Sequence, residues 1–184
     1  ILASIAIFSL RSQPQSAYPG LGGDFTLNGL NGPVALQDYR DSVVVMMFGF
    51  TYCPDICPTG LANVAAAMNL LDEDTRQRVQ PIFISVDPER DTVEAMAEYV
   101  GYFHPVIRGW TGPEDQIARA AEGFRASFER VPTEGGGYTM NHTASVFLFD
   151  AEGELVTMID YHEQREFAVP KIQRALTEDV EGAT

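Results

Sequence analysis

Basic residues are scarce in this sequence. Its 184 residues hold 12 lysines and arginines against 26 aspartates and glutamates, a formal net charge of −14, and only one of the twelve, Lys171, is a lysine. Nucleic acids and anionic lipids both demand basic surface, so this balance argues against either as a partner. It suits a soluble body that meets a cation or a basic protein face, with solubility alone as the simpler account. Cysteine is scarcer still, with Cys53 and Cys57 the only two. A chain of about 150 residues already removes roughly 70% of its surface from water on folding, so no disulfide is needed to hold the body together. No repeat of about 20–50 residues is visible.

Long apolar runs are missing as well. The opening "ILASIAIFSL" (1–10) is uncharged, but as a helix it spans only about 15 Å, half a bilayer core. It reads either as the stub of a longer membrane anchor or signal segment, or as a buried element of the fold. The polar, Pro- and Gly-broken "RSQPQSAYPG" that follows favours the stub with a linker over 11–21. A body over 22–180 and a tail over 181–184 complete the expected division. An anchored body outside the cytoplasm would face oxidising conditions.

Within the body, "GGDFTLNGLNGPVALQD" (22–38) alternates around Asn-Gly steps, which is hairpin chemistry. "SVVVMMFGF" (42–50) and "VQPIFISVD" (79–87) are continuous apolar runs, expected of strands buried on both faces. Between them, Leu61, Val64, Ala65, Met68 and Leu71 share one helical face. A second helix carries Val93, Met96, Val100 and Phe103, with Asp91 or Thr92 as its cap. "GPEDQIARAAEGFRASF" (112–128) reads as a third helix and "ERVPTEGGGYTMN" (129–141) as a loop. "HTASVFLFD" and "LVTMID" around Gly153 read as an antiparallel hairpin, and 165–179 as a helix with a break expected near Pro170. Strand–helix–strand units impose parallel pairing with right-handed crossovers. The fold class expected is α/β, a thioredoxin-like mixed sheet with helices on both faces and an N-terminal β-hairpin extension.

The chemistry concentrates in "FGFTYCPDICPTG" (48–60). Cys53 falls just past a buried strand, where open α/β sheets place their sites, with Pro54 suited to a first helical turn. Cys57, four residues on, would lie on the same helical face, its β-carbon about 5–6 Å away. The pair can close a disulfide or grip one ion, and a helix N-terminus favours the thiolate. A structural disulfide across so short a loop would contribute only about 2 kcal/mol. Two thiolates underfill most metals. Of the three histidines, His142 opens the strand expected beside the one leading to the cysteines, whereas His104 and His162 read as bland surface or helix-end residues. Two thiolates and an imidazole favour Cu(I) and accept Cu(II). The glycines at 135–137 would let the histidine arm swing.

Taken in order, "FGFTYCPDICPTGL", "SVDPERDT", "GWTG" and "HTASVFLFD" resemble the Sco/SenC family of copper chaperones from about Phe25 onward. The resemblance implies a thioredoxin fold behind an N-terminal membrane anchor, and one copper ion held by Cys53, Cys57 and His142. It implies assembly of the CuA site of cytochrome c oxidase subunit II, by copper delivery, by thiol–disulfide exchange, or both. Other copper chaperones or thiol–disulfide reductants would be further partners. The implied location is the inner membrane with the body on the periplasmic side, or facing the intermembrane space in a eukaryote. Many members carry aspartate before the histidine; here Asn141 stands there, a change that bears on partner recognition or the histidine's basicity. Asp87, at the end of the second buried strand, either orients a ligand from behind or simply turns the chain with Pro88. The competing function is a thiol–disulfide oxidoreductase that carries no metal. A peroxidase-like thiol enzyme is a third reading with no feature in its favour.

Overall fold

The computed structural model describes residues 18, 20–160 and 165–181. The apolar stretch 1–10, most of the linker, His162 and residues 182–184 lie outside the described residues.

Strand β3 (Val43–Gly49) is the spine: all seven of its residues are buried, as its unbroken β-branched and apolar run requires of a strand covered on both faces. It pairs in parallel with β4 (Val79–Ser85), which in turn pairs in parallel with the short β5 (Arg108–Trp110). On its other side β3 meets β8 (Val146–Phe149) antiparallel, and β8 meets β9 (Leu155–Ile159) across the tight turn at Gly153. The sheet order is β5-β4-β3-β8-β9, the mixed, thioredoxin-like sheet expected.

The expected hairpin forms from β1 (Thr26–Gly29) and β2 (Gly32–Ala35). It docks on the residue after β5 through two backbone bonds, Asn28 N–H to Thr111 O (2.6 Å) and Thr111 N–H to Asn28 O (3.0 Å). Phe25 and Tyr39 then pack on Trp110 with ring centroids 6.2 and 5.6 Å away. Strand β5 was not foreseen: three residues are too few to show a period, and only the β4 edge makes them a strand.

Helix α1 (Ile56–Leu70) buries Leu61, Ala65 and Met68 and, past the short α2 (Glu73–Gln77), the chain returns to β4. Helix α3 (Val93–Gly101) buries Met96 and Val100. Thr92 is its cap, its hydroxyl accepting from Ala95 N–H at 3.2 Å; Asp91 is buried and serves elsewhere. Thr92→Ala is expected to lower stability by about 1 kcal/mol, read as a shifted denaturant midpoint with unchanged slope.

Three expectations are corrected. Helix α4 (Glu114–Gly123) stops five residues short of the expected end, because Arg125 turns the chain with φ 50°. The stretch expected as a loop is a two-stranded ribbon, β6 (Phe128–Pro132) and β7 (Tyr138–His142). Its β6 residues are mostly exposed, so no apolar alternation betrays it. Helix α5 (Arg165–Glu181) runs unbroken through Pro170. Buried Ile172, Ala175 and Leu176 fasten it, and it packs along α1, offsetting the one hydrogen bond the proline removes. Among the described residues no helix is long and apolar enough to cross a membrane.

Candidate metal centre

The chain leaves β3 at Gly49 and turns, with Cys53 N–H donating to Phe50 O at 3.2 Å. Helix α1 begins at Ile56, so Pro54 lies before it and Cys53 is not a helical residue. This corrects the expectation of two cysteines on one helical face. The sulfurs converge by a different device. No side chain caps α1; the Cys57 N–H, in its first turn, points to Cys53 Sγ at 3.4 Å. The sulfur thus takes the place of a capping oxygen at the positive end of the helix. Both cysteines are buried and neither is in a disulfide.

Gly49 permits this arrangement. A β-carbon there would fall 2.7 Å from Cys57 Sγ and 2.5 Å from the Phe83 ring. Buried Asp91 pins the turn that follows: it accepts from Thr51 N–H (3.1 Å), the Thr51 hydroxyl (2.5 Å) and the Ser85 hydroxyl (2.6 Å). Burial pushes its carboxyl above the usual range, against those hydrogen bonds.

His142 arrives from the far side of the sequence. It is the last residue of β7 and pairs with Phe128 at the base of the ribbon, instead of opening the sheet strand, which starts at Val146. The adjacency of β8 to β3 delivers it nonetheless. Its Nε2 lies 3.4 Å from Cys57 Sγ, and the Phe50 ring stands perpendicular to the imidazole, 5.7 Å between centroids. The other ring nitrogen, Nδ1, is 2.9 Å from Thr143 O. A carbonyl only accepts, so the ring proton sits on Nδ1 and Nε2 presents its lone pair. The three donor atoms of Cys53, Cys57 and His142 lie within 4.8 Å of one another, the only such cluster among the described residues. The glycines expected as a hinge beside His142 sit at the opposite end of the ribbon, Gly135 and Gly136 with φ 108° and 90° forming its tip.

The two thiols are unequal. Cys53 is held well below the ordinary thiol range, chiefly by the Cys57 thiol that donates to it and further by backbone amides, against the opposing effect of burial. Cys57 is pushed up, because it is the donor of that pair and is buried deeper.

Asp87 touches none of these donors. Its carbonyl accepts the Arg90 and Asp91 amides, which makes the turn. Its carboxylate, 1% exposed, takes the Tyr138 hydroxyl at 2.9 Å and an ion pair from Arg90. Asn141 is exposed on β7 opposite Glu129. His104 lies apart from the cluster beyond α3; its Nδ1 accepts from Val106 N–H at 3.3 Å, and burial lowers its pKa. Sequence reasoning missed Thr51, Ser85, Arg90 and Tyr138. "SVDPERDT" was the available signal for two of them; nothing in the sequence ties Tyr138 to it.

The model of the SCO1/SenC family matches residues 13–177. The mitochondrial SCO2 homolog of Mus musculus is 39% identical over 155 residues, covering 83% of this chain and 61% of its own length. The chain thus spans about half to three-fifths of the curated relatives it matches. Apo Sco1 of Thermus thermophilus superposes with a TM-score of 0.78 at 38% identity, over 83% of this chain and 90% of its own. ScoI of Arabidopsis thaliana, solved with copper bound, gives 0.78 at 31% identity, over 86% and 99%. With the family model matching residues 13–177, nearly the whole of the expected body, this chain belongs to the SCO1/SenC family.

Proposed function

We propose that this protein is a copper carrier for the assembly of cytochrome c oxidase. It holds one ion, Cu(I) or Cu(II), through the sulfurs of Cys53 and Cys57 and Nε2 of His142. The carrying observation is the convergence of these three donors from positions 85 residues apart in the chain. The donor set fits the cargo. Soft thiolates with an imidazole suit Cu(I) and accept Cu(II). Donors about 2.0–2.3 Å from one first-row ion stand roughly 3.5–4 Å from each other, and the Cys57–His142 separation is 3.4 Å. Both sulfurs must be deprotonated to hold the ion, so loading releases thiol protons to solvent. Three ligands with nothing further suit an ion that must be passed on. The copper-bound Arabidopsis relative supports the same cargo.

The finer reading places delivery at the CuA site of subunit II, with other copper chaperones or thiol reductants upstream. Residues 22–180 form the copper-binding domain, and the apolar segment 1–10 is the stub of an anchor that tethers it to the inner membrane, with the body on the periplasmic or intermembrane-space side.

His142→Ala tests the reading. Reduced wild-type protein is expected to take up one equivalent of Cu(I) against a competing chelator, and the variant to bind about 100-fold more weakly, the top of the range that groups around a metal contribute. Unchanged affinity in the variant would sink the carrier and leave the second reading, a thiol–disulfide oxidoreductase. That reading is favoured by one observation: two unbridged cysteines brought together at the start of α1, with Cys57 N–H 3.4 Å from Cys53 Sγ. Exchange with a partner disulfide forms one S–S bond between Cys53 and Cys57 and breaks the partner's; two electrons and two protons pass to the partner, which leaves with two thiols.

A further inference from the structure

We infer that Arg90 is a positioning residue for the copper site, a latch that holds the β6–β7 ribbon against the body so that His142 stays at the cysteines. The inference rests on the copper reading of Cys53, Cys57 and His142.

The ribbon needs such a device. It is a separate two-stranded sheet with no ladder to the five-stranded one, and two strands alone are marginal in water. Its base is held by backbone bonding, Thr143 N–H to Ser127 O at 2.9 Å. Towards its tip, the turn between β4 and α3 reaches across. Arg90 donates from Nη1 to Tyr138 O at 3.1 Å and pairs through Nε with Asp87. The Tyr138 hydroxyl closes the ring by donating to the same carboxylate at 2.9 Å.

The guanidinium also lies against three aromatic faces: 3.9 Å from the Tyr138 centroid, 4.7 Å from Tyr52 and 5.8 Å from Phe50. Its Nη2 is buried without a hydrogen-bond partner, which the surrounding ring faces explain, since π density can replace an oxygen for a cation. Phe50 is the link to the metal site, because the same ring meets His142 edge-on. Arg90 thus touches the ribbon at Tyr138 and the wall that positions the imidazole. The neighbouring Arg130–Glu89 pair is half-exposed at both ends and contributes little. The Arg90–Asp87 pair, 23% and 1% exposed, is the sheltered one. It fixes the guanidinium within the turn, and losing Arg90 removes the bond to Tyr138 O and the stack on the Tyr138 ring, which frees the ribbon to tilt about residues 127 and 143, taking the ring away from the sulfurs.

A double-mutant cycle tests this. Arg90→Ala is expected to weaken Cu(I) binding about 10-fold in the wild-type background, the scale of partners outside the ligand set, and to have no effect in the His142→Ala background. Equal losses in both backgrounds, or none in either, would overturn the latch. Tyr138→Ala attacks the same contact from the half-buried ribbon side and is expected to match Arg90→Ala. Tyr138→Phe keeps the ring and is expected to retain most of the affinity; a loss equal to that of Tyr138→Ala would overturn the stacking role. A readout without copper separates this inference from the copper reading. In the apo protein, amide exchange over residues 128–142 is expected to quicken in Arg90→Ala, and unchanged exchange there would overturn the latch even if copper binding behaves as proposed. Loss of the His142 effect on wild-type affinity, with exchange still quickened, would instead reject the copper reading alone.

Discussion

Replacing Cys57 with serine is expected to lower Cu(I) affinity by well over about 100-fold, more than groups outside the ligand set contribute. The substitution exchanges a soft sulfur for a hard oxygen of nearly the same shape, so it tests chemistry with little change in packing. Copper prefers thiolate to hydroxyl donors, and no replacement thiol exists, since the chain has only two cysteines. Cys57 Sγ is also the atom 3.4 Å from the imidazole, which makes it the hinge of the donor triangle. Chelator competition on the reduced variant, with dichroism to show the fold intact, reads the effect. A variant that keeps one equivalent at wild-type affinity would remove Cys57 from the ligand set.

Gly49→Ala carries the second large effect, and it acts on stability and site together. The added carbon would lie 2.5 Å from the Phe83 ring and 2.7 Å from Cys57 Sγ, and both residues are fully buried. Neither neighbour can step into solvent. Overpacking of this kind costs about 1–3 kcal/mol, and here the backbone also runs through paired strand, with Gly49 opposite Ser85. Pushing Cys57 Sγ aside spoils the donor triangle, so copper affinity is expected to fall along with the denaturation midpoint. Wild-type stability in Gly49→Ala would mean that strand β3 gives way more easily than its burial implies. Lowered stability with unchanged copper affinity would mean that Phe83 moves and the sulfur does not.

These effects mark the border between what was legible beforehand and what was not. The spine strand, its parallel partner and the α1 core face were legible because burial on two faces or one writes a period into the residues themselves. Val43 to Gly49 is apolar throughout, and the helices repeat every three or four. The cysteine pair stood out because the chain spends its only two thiols on one strand–helix junction. Strand β5 and the β6–β7 ribbon were illegible. One is three residues long, and the other exposes most of β6, so neither selects a pattern. The site was half-legible. Strand order alone brings a residue near position 142 to the rim, but reading it as the start of the sheet strand misplaced its support.

By itself, then, the sequence determined the class of fold, the candidate donor residues and the side of the sheet on which they gather, since fold and placement follow from local periodicity and connection rules. Only the tertiary structure decided how the sulfurs and the imidazole meet. The Cys53 sulfur capping α1, the clearance at Gly49, Asp91 fastening Thr51 to Ser85, and Arg90 gripping Tyr138 all join residues that are remote in sequence or outside any regular element. Contacts of that kind depend on three-dimensional distance, and no spacing along the chain encodes them.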